Sequence, residues 1–224
     1  VGAGVDFSRW VTSGAMAIGL DITWEAIKQT RQRLELLNPD QKNFALVLGD
    51  AERLTFSAGE FDLVYAYGCF HHMPDPQAAL KEAFRVLKPG GELKAMIYHL
   101  PCWTGWLLWC WHCLLRGKLW QSPRRAIFEH LESPGTKAYT TAEAGQMFQE
   151  VGFIEIEALP KLGPGDLLTI KLSEKYKGPF FQAAQRFYPR WLIRSLGDRF
   201  GLFLLIKARK PRVNEASEIG PWSF

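Results

Sequence analysis

The sequence predicts an α/β domain in which helices cover both faces of a doubly wound, mainly parallel sheet. Short apolar runs alternate with segments of helical periodicity, and several of these runs end in Gly or Asp. The chain has 224 residues and is 47% hydrophobic, which is enough for one globular domain with a full core. Charged residues make up 22%, close to the globular norm, which argues against wholesale disorder.

The order of elements follows from these patterns. Val1 is interpreted as the end of a first strand that lies largely upstream of this sequence, because a glycine turn follows it directly. Further strands are predicted at residues 15–20, 44–48, 61–66, 92–98, 153–159 and 201–208. Helices are predicted at residues 7–13, 23–37, 76–87 and 141–151, with a helical insertion at 100–140 and a second near 171–199.

Charge and cysteine content limit the partners and the cellular compartment that we expect. The net charge of +4 permits weak attraction to phosphates or anionic lipid without requiring it, and no nucleic-acid partner is expected. The chain does not open with a basic segment and an apolar run, so no secretory signal is predicted and the expected location is cytoplasmic. Cys69, Cys102, Cys110 and Cys113 are expected to be reduced thiols, and no metal site is predicted from them.

The ends of the predicted strands carry the residues that suit a ligand site. In a doubly wound sheet, ligands bind outside the carboxyl ends of the strands. Gly2 and Gly4 follow the first strand and allow backbone N–H groups to approach a ligand closely. Asp21 ends the second strand, where a carboxylate can accept both hydroxyls of a ribose. Asp50 ends the third strand, where it could accept from an adenine amino group.

Six segments make the resemblance to a known family specific. They are Val1-Gly2-Ala3-Gly4, Gly19-Leu20-Asp21-Ile22, Gly49-Asp50-Ala51-Glu52, Phe61-Asp62-Leu63-Val64, the run F-H-H-M-P-D at 70–75 and the turn R-V-L-K-P-G-G at 85–91. In this order they resemble the motifs of class I S-adenosyl-L-methionine (SAM)-dependent methyltransferases, above all the ubiquinone/menaquinone-biosynthesis type. The resemblance covers residues 1–98 well and implies a Rossmann-like, seven-stranded sheet.

The resemblance also implies which residues contact SAM. They follow the first four strands and comprise Gly2, Ala3, Gly4, Asp21, Ile22, Asp50, Ala51, Tyr67 and Gly68. The glycine turn would lie against the methionine part, Asp21 would hold the ribose, and Ile22 would lie beside the adenine. Asp50 and Ala51 would contact the adenine edge, and the pair after the fourth strand would face the methionine part or the transferred methyl group.

The glycine turn departs from the family pattern at one position. Where the family has a third glycine, this chain has Asp6, which is expected to cap the following helix or to meet the methionine ammonium group. This departure leaves open a SAM-binding protein without transferase activity. A nicotinamide-binding domain is disfavoured because its third glycine would fall at Phe7, and amino-directed transfer is disfavoured because the segment Tyr65-Ala66-Tyr67-Gly68 lacks the N/D-P-P-Y/F pattern.

Four residues near the ends of the fourth and fifth strands are candidates for catalysis. They are His71, His72, Tyr98 and His99. A general base is needed only where the acceptor must lose a proton, and histidine titrates near neutral pH. The alternative is that a histidine caps the helix or packs in the wall of the site, and that Tyr98 and His99 form a satisfied pair at a strand end.

The insertion is unusually rich in Trp. Residues 100–115 read L-P-C-W-T-G-W-L-L-W-C-W-H-C-L-L, and Arg116, Lys118, Arg124 and Arg125 follow. The apolar run is too short to span a bilayer, but Trp with flanking cations is typical of helices at a membrane interface. Two interpretations remain: a lid over an apolar acceptor, with residues 100–120 touching a membrane, or a helix packed on the domain or at a homodimer interface.

The sequence therefore predicts a SAM-dependent methyltransferase that acts on a small or lipid-like apolar acceptor, at carbon or oxygen rather than nitrogen. A SAM-binding protein without activity and a membrane- or protein-interaction module are the alternatives. The predicted division is a SAM-binding core at 1–99, the lid at 100–140, the rest of the same domain at 141–210 and a tail at 211–224.

Overall fold

The computed structural model describes residues 1–37, 40–169 and 185–216. Residues 171–184 of the second predicted insertion and residues 217–224 of the predicted tail lie outside the described residues. The strands are β1 Ala17–Asp21, β2 Phe44–Leu48, β3 Phe61–Tyr67, β4 Leu87–Tyr98, β5 Ile154–Lys161 and β6 Phe203–Arg209. The helices are α1 Val5–Thr12, α2 Trp24–Leu37, α3 Pro76–Val86, α4 Trp103–His112, α5 Pro123–His130, α6 Thr141–Val151, α7 Arg190–Ser195 and α8 Val213–Ala216.

Backbone hydrogen bonds join the strands into two sheets. One contains β1 and β2, and the other has the order β3-β4-β6-β5. The β1–β2 and β3–β4 pairs are parallel, whereas β6 runs antiparallel to both β4 and β5. Within the four-stranded sheet only β6 therefore opposes the common direction. The alternation of strands and helices with this order fits a Rossmann-like fold.

The expected seven-stranded sheet is not confirmed. The described residues form six strands, and the strand expected before Gly2 is not among them. Val1 alone precedes the turn in this sequence, and one residue is too short to form a strand ladder. Its amino nitrogen instead lies 2.9 Å from the carbonyl oxygen of Leu20 in β1.

The main core lies where α3 and α6 pack on the four-stranded sheet. Asp75 caps α3 by accepting from the Ala78 amide, and Pro76 occupies its first turn, where a missing N–H is harmless. α6 begins with a capping box formed by Thr140 and Glu143. Their apolar faces bury Leu80 and Phe148 completely. The two helices thus hold β3 and β4 in place, and the ends of these strands carry much of the candidate site.

The insertion is fastened to the domain through Asp166, whose side chain is completely buried. One carboxylate oxygen accepts from the backbone and hydroxyl of Thr104 at the start of α4. The other accepts from the amides of Gly163 and Leu202, the latter just before β6. Four donors satisfy the buried charge, so α4 is anchored to the sheet. No helix among the described residues is long and apolar enough to cross a membrane.

The cysteines of the insertion differ in exposure. Cys102 and Cys113 are buried, but Cys110 is exposed. Cys110 differs from the other two because it lies on the outer face of α4.

Candidate functional site

The glycine turn and the end of β1 are joined by the carboxylate of Asp21. Its Oδ2 accepts from the Gly2 amide at 2.9 Å and from the Val1 amino nitrogen at 3.0 Å. Its Oδ1 accepts from the amide and hydroxyl of Thr23 at 3.0 and 2.9 Å. Burial of the carboxylate opposes ionisation, but the hydrogen bonds from Gly2 and Thr23 outweigh it and lower the pKa of Asp21 to about 2.

The turn itself requires glycine. Gly2 and Gly4 have φ angles of 55° and 73°, in the left-handed region. A Cβ on Gly4 would lie 2.7 Å from the hydroxyl oxygen of Thr30 in α2, whereas one on Gly2 would meet no atom within 4 Å. Gly4 therefore allows α1 and α2 to pack closely, and Gly2 leaves its backbone open to a ligand. Arg33 of α2 holds the turn through the carbonyl of Ala3 at 2.9 Å.

The predicted adenine-side residues lie at the neighbouring strand ends. Ile22 is 69% exposed just past β1. Asp50 is exposed and Ala51 half-buried in the loop after β2, where Oδ1 of Asp50 accepts from the Glu52 amide at 2.9 Å. Glu52 in turn accepts from the amide of Asp75, the cap of α3, at 2.9 Å. This loop is thus fixed to α3 and presents Asp50 at the same edge as the turn.

Asp6 and the tyrosines of β3 form one wall of this edge. The N-cap of α1 is Gly4, so the prediction that Asp6 caps the helix is wrong. Oδ2 of Asp6 instead accepts from the Tyr65 hydroxyl at 3.1 Å, and the ring of Tyr65 stacks on that of Tyr67 at 5.9 Å between centroids. Tyr67 is 45% exposed, and Gly68 follows it with a φ of 76°.

Three of the four predicted catalytic residues lie together. The imidazole of His71 packs on the ring of Tyr98 at 3.9 Å between centroids and on that of His72 at 4.2 Å. A residue that the sequence did not single out joins them. Glu132, in the insertion after α5, accepts from the Tyr98 hydroxyl at 2.7 Å and lies 2.9 Å from Nε2 of His72.

Burial sets the protonation behaviour of this cluster. His71 has no exposed surface, and removal from water, reinforced by neighbouring His72, lowers its pKa to about 3. Burial of Tyr98, together with its hydrogen bond to Glu132, raises the pKa of the phenol above its usual range. His71 is consequently a neutral imidazole, and Tyr98 a neutral hydrogen-bond donor.

His99 lies apart from the cluster. Its Nδ1 is 3.0 Å from the carbonyl of Gly201, and its Nε2 is 3.4 Å from the hydroxyl of Thr141. Successive residues of a strand point to opposite faces, so Tyr98 and His99 cannot share one site. The structure brings His71, His72 and Tyr98 together and leaves His99 between β6 and α6, where burial lowers its pKa.

One group in the described part of the chain has a metal-binding donor set. His71, His72 and Glu132 offer ligand atoms that all lie within 4.8 Å of one another. The sequence held one signal for Glu132. Residues 93–128 contain no Asp or Glu, so Glu129 and Glu132 are the first carboxylates after the β4 region.

Sheet order, glycine turn and acidic strand end together have the arrangement of the class I SAM-dependent methyltransferase fold. Residues 1–95 match the family described as a methyltransferase domain. The matched residues make up less than half of the chain, so the match shows that this part of the chain is similar to methyltransferase domains.

Two curated relatives illustrate the similarity. An uncharacterized methyltransferase of Synechocystis is 31% identical over 144 residues, which is 63% of this chain and 58% of that protein. A demethylmenaquinone methyltransferase of Listeria monocytogenes is 28% identical over 151 residues, 65% of this chain and 62% of its own. The chain thus spans less than two thirds of the length of either relative.

Solved structures show the same fold at low identity. Phosphoethanolamine N-methyltransferase 2 of Haemonchus contortus, in complex with SAM, has a TM-score of 0.64 at 18% identity. That alignment covers 95% of this chain and 47% of the other. A methyltransferase in complex with the Trm112 activator of Haloferax volcanii has a TM-score of 0.61 at 20% identity, covering 94% and 80%.

Proposed function

We propose that this protein binds SAM and transfers its methyl group to a small or lipid-like apolar acceptor, at carbon or oxygen. The observation that carries the proposal is the link between Asp21 and the Gly2 amide, which joins an acidic strand end to an open glycine turn. The similarity to demethylmenaquinone methyltransferases supports an apolar acceptor.

The residues assigned to SAM line one edge of the domain. They are Gly2, Ala3, Gly4, Asp21, Ile22, Asp50, Ala51, Tyr67 and Gly68. A carboxylate offers about four lone-pair positions, and Asp21 already accepts four hydrogen bonds. A ribose hydroxyl must therefore displace one donor. The Thr23 hydroxyl can leave by rotation about the Cα–Cβ bond of Thr23, without movement of the backbone.

Methyl transfer needs alignment more than it needs acid–base groups. Bound SAM would supply a methyl group on a positively charged sulfonium. The acceptor atom forms a bond to the methyl carbon as the carbon–sulfur bond breaks, and the sulfur keeps that electron pair. The protein must hold the two reactants in line and exclude water. We assign the acceptor-facing role to His71, His72 and Tyr98 with Glu132. Where the acceptor loses a proton, His72 or Glu132 would take it up, whereas His71 and Tyr98 would line the site.

Calorimetric titration with S-adenosylhomocysteine tests the cofactor site. We expect micromolar binding to the unaltered protein and at least tenfold weaker binding to Asp21→Ala. Asp62→Ala is the matched control, because this carboxylate is 85% exposed and pairs with Lys88 at the surface. Equal affinity in all three proteins would refute the site. Binding without transfer to any quinone or phenol would leave a SAM-binding protein without transferase activity.

We further infer that the insertion contacts a membrane through residues 114–120. All seven residues of L-L-R-G-K-L-W are exposed, with Leu115 at 64%, Leu119 at 61% and Trp120 at 80%. Arg116 and Lys118 lie among them, and the surrounding residues 93–128 carry no acidic side chain. Exposed apolar side chains, flanked by cations and with no acidic residues beside them in the sequence, suit an anionic bilayer surface.

Cosedimentation with phosphatidylglycerol vesicles tests this contact. We expect binding at low salt that Leu119→Asp together with Trp120→Asp abolishes. The exposed aromatic pair outside the insertion, changed to Phe187→Asp and Trp191→Asp, is the control and should leave binding intact. Equal binding by both double variants would contradict the assignment. A concentration-dependent dimer that the first pair disrupts, with no vesicle binding, would instead favour the homodimer interface.

The division of the chain is also part of the proposal. We assign residues 1–99 to cofactor binding, 100–140 to the lid, 141–210 to the rest of the domain and 211–224 to a tail. β1 and β3 are not hydrogen-bonded to each other, and Val1 contacts β1 at this gap. A parallel strand leading into Val1 would join the two sheets and complete seven strands. The proposed location is cytoplasmic, with peripheral membrane contact.

A further inference from the structure

We propose that the cluster at the ends of β3 and β4 binds a divalent transition-metal ion. Its ligands are a ring nitrogen of His71, a ring nitrogen of His72 and a carboxylate oxygen of Glu132, all within 4.8 Å of one another. Two imidazoles and one carboxylate form a donor set that suits Zn²⁺, Fe²⁺ or Co²⁺ and leaves further coordination positions open. The inference deepens the proposed function, on which its catalytic meaning rests.

His71 is the observation that points to a missing ligand. Its side chain is completely buried, and neither Nδ1 nor Nε2 has a hydrogen-bond partner among the described residues. Buried polar groups are nearly always satisfied, so an imidazole with two unpaired nitrogens requires an explanation.

The other two ligands already face each other at a suitable separation. Nε2 of His72 lies 2.9 Å from Oε2 of Glu132. Two adjacent ligands, each about 2.1 Å from one ion, would be about 3 Å apart in octahedral geometry. Metal binding therefore requires mainly that the ring of His71 move towards this pair. Its ligand atom lies within 4.8 Å of theirs and would have to approach the spacing of adjacent ligands.

The surrounding hydrogen bonds are those of an oriented metal site. The Tyr98 hydroxyl donates to the remaining oxygen of Glu132 at 2.7 Å. The Thr136 hydroxyl lies 3.4 Å from Nδ1 of His72, on the side of the ring away from Glu132. Such outer partners fix the orientation of ligands and are a regular feature of metal sites.

A metal here would link parts of the chain that are distant in sequence. His71 and His72 follow β3, whereas Glu132 belongs to the insertion. An ion bound by all three would hold the insertion against the core. Its open positions would take an acceptor hydroxyl. With His71, His72 and Glu132 bound to the ion, the hydroxyl proton would pass to solvent water, and the cation would favour that loss and so activate oxygen acceptors.

Metal titration of the full chain, without cofactor, tests the site. Protein stripped with chelator is titrated with Co²⁺, followed by visible absorption and calorimetry, in a Cys110→Ser background that removes the exposed thiol. We expect one equivalent, absorption bands without thiolate charge transfer, and a thermal midpoint raised by the metal. Glu132→Gln should weaken binding 10- to 100-fold.

Two variants separate a ligand role from a structural one. Glu129→Gln is the matched control, because Glu129 lies three residues earlier, near the end of α5, and pairs with Arg125. This variant should bind Co²⁺ as the parent does. His72→Gln should lose binding while its circular dichroism stays native, since this ring is one-third exposed. No binding up to millimolar Co²⁺, or equal affinity in Glu132→Gln and Glu129→Gln, would overturn the proposal.

The metal site and the methyltransferase can fail separately. The metal site alone would be refuted by a protein that takes up no Co²⁺ but binds S-adenosylhomocysteine and transfers methyl groups equally well with and without chelator. Stoichiometric Co²⁺ uptake by a protein that binds no S-adenosylhomocysteine would uphold the site and refute the proposed function.

Discussion

The hydroxyl of Tyr98 donates to Oε1 of Glu132 at 2.7 Å and so joins the last residue of β4 to the insertion. Tyr98 is 6% exposed, and its ring also packs on His71. Residues 34 positions apart thereby form one cluster at the end of the sheet.

Tyr98→Phe isolates this hydrogen bond. The change keeps the ring and leaves Glu132 able to turn towards solvent, so we expect the free energy of unfolding to fall by about 1–2 kcal/mol. The methyl-transfer rate should fall about 10- to 100-fold, because His72 and Glu132 lose their orientation. S-adenosylhomocysteine affinity, measured by calorimetry, should change less than twofold. A matching loss of cofactor affinity would show that Tyr98 supports the cofactor rather than the acceptor side.

Acid stability should depend on Asp21. Its pKa is lowered to about 2 in the folded state from an ordinary value of 3.8. The ionised carboxylate therefore stabilises the fold fully above pH 3.8, and this contribution disappears as the pH falls from about 4 to about 2. With a discount for solvent screening, it amounts to about 1–2 kcal/mol.

Urea unfolding between pH 6 and pH 2.5 measures this contribution. Asp21→Asn should be less stable than the parent at pH 6, and the difference should shrink towards pH 2.5. The exposed control Asp62→Asn should follow the parent curve. If the difference in free energy of unfolding between Asp21→Asn and the parent were the same at all pH values, the charge of Asp21 would not contribute to stability.

Gly4→Ala should destabilise the protein more than Gly14→Ala does. Gly4 and Gly14 both have positive φ angles, but only a Cβ at Gly4 would collide, 2.7 Å from the Thr30 hydroxyl. We expect Gly14→Ala to lower the free energy of unfolding by about 1–2 kcal/mol through backbone strain alone. Gly4→Ala should lose more, and S-adenosylhomocysteine affinity as well. Equal effects of the two in unfolding and calorimetry would remove the argument from close packing.

Phe148→Ala tests the core that positions β3 and β4. Phe148 is completely buried in α6 and packs on Phe153, with 5.7 Å between ring centroids. Removal of the ring should lower the free energy of unfolding by about 3–5 kcal/mol in urea titrations. Gln149→Ala, on the exposed side of the same helix, should change it by less than about 0.5 kcal/mol. A loss below about 1 kcal/mol at Phe148 would mean that the site is held by other contacts.

Local pattern in the sequence was enough to predict the α/β class and the strand ends to which we assign SAM binding. Apolar runs report on neighbouring residues, so Asp21 and Asp50 could be assigned to the ends of successive strands from the sequence alone. The predicted seventh strand is not confirmed among the described residues, because a strand is defined only by its hydrogen-bonded partner. Nor did it predict that Asp6 would bond to Tyr65 across 59 positions.

The tertiary structure alone decided which residues join the cluster of His71, His72, Tyr98 and Glu132. The sequence placed Tyr98 and His99 side by side as candidates, but successive residues at the end of β4 point to opposite faces, and Tyr98 is the one that packs on His71. Glu132 reaches His72 from the insertion, because α4 and α5 fold back onto the domain and bring the following residues to the end of the sheet. No periodicity in the sequence records such a contact, because it depends on where Asp166 and the core anchor the insertion in space.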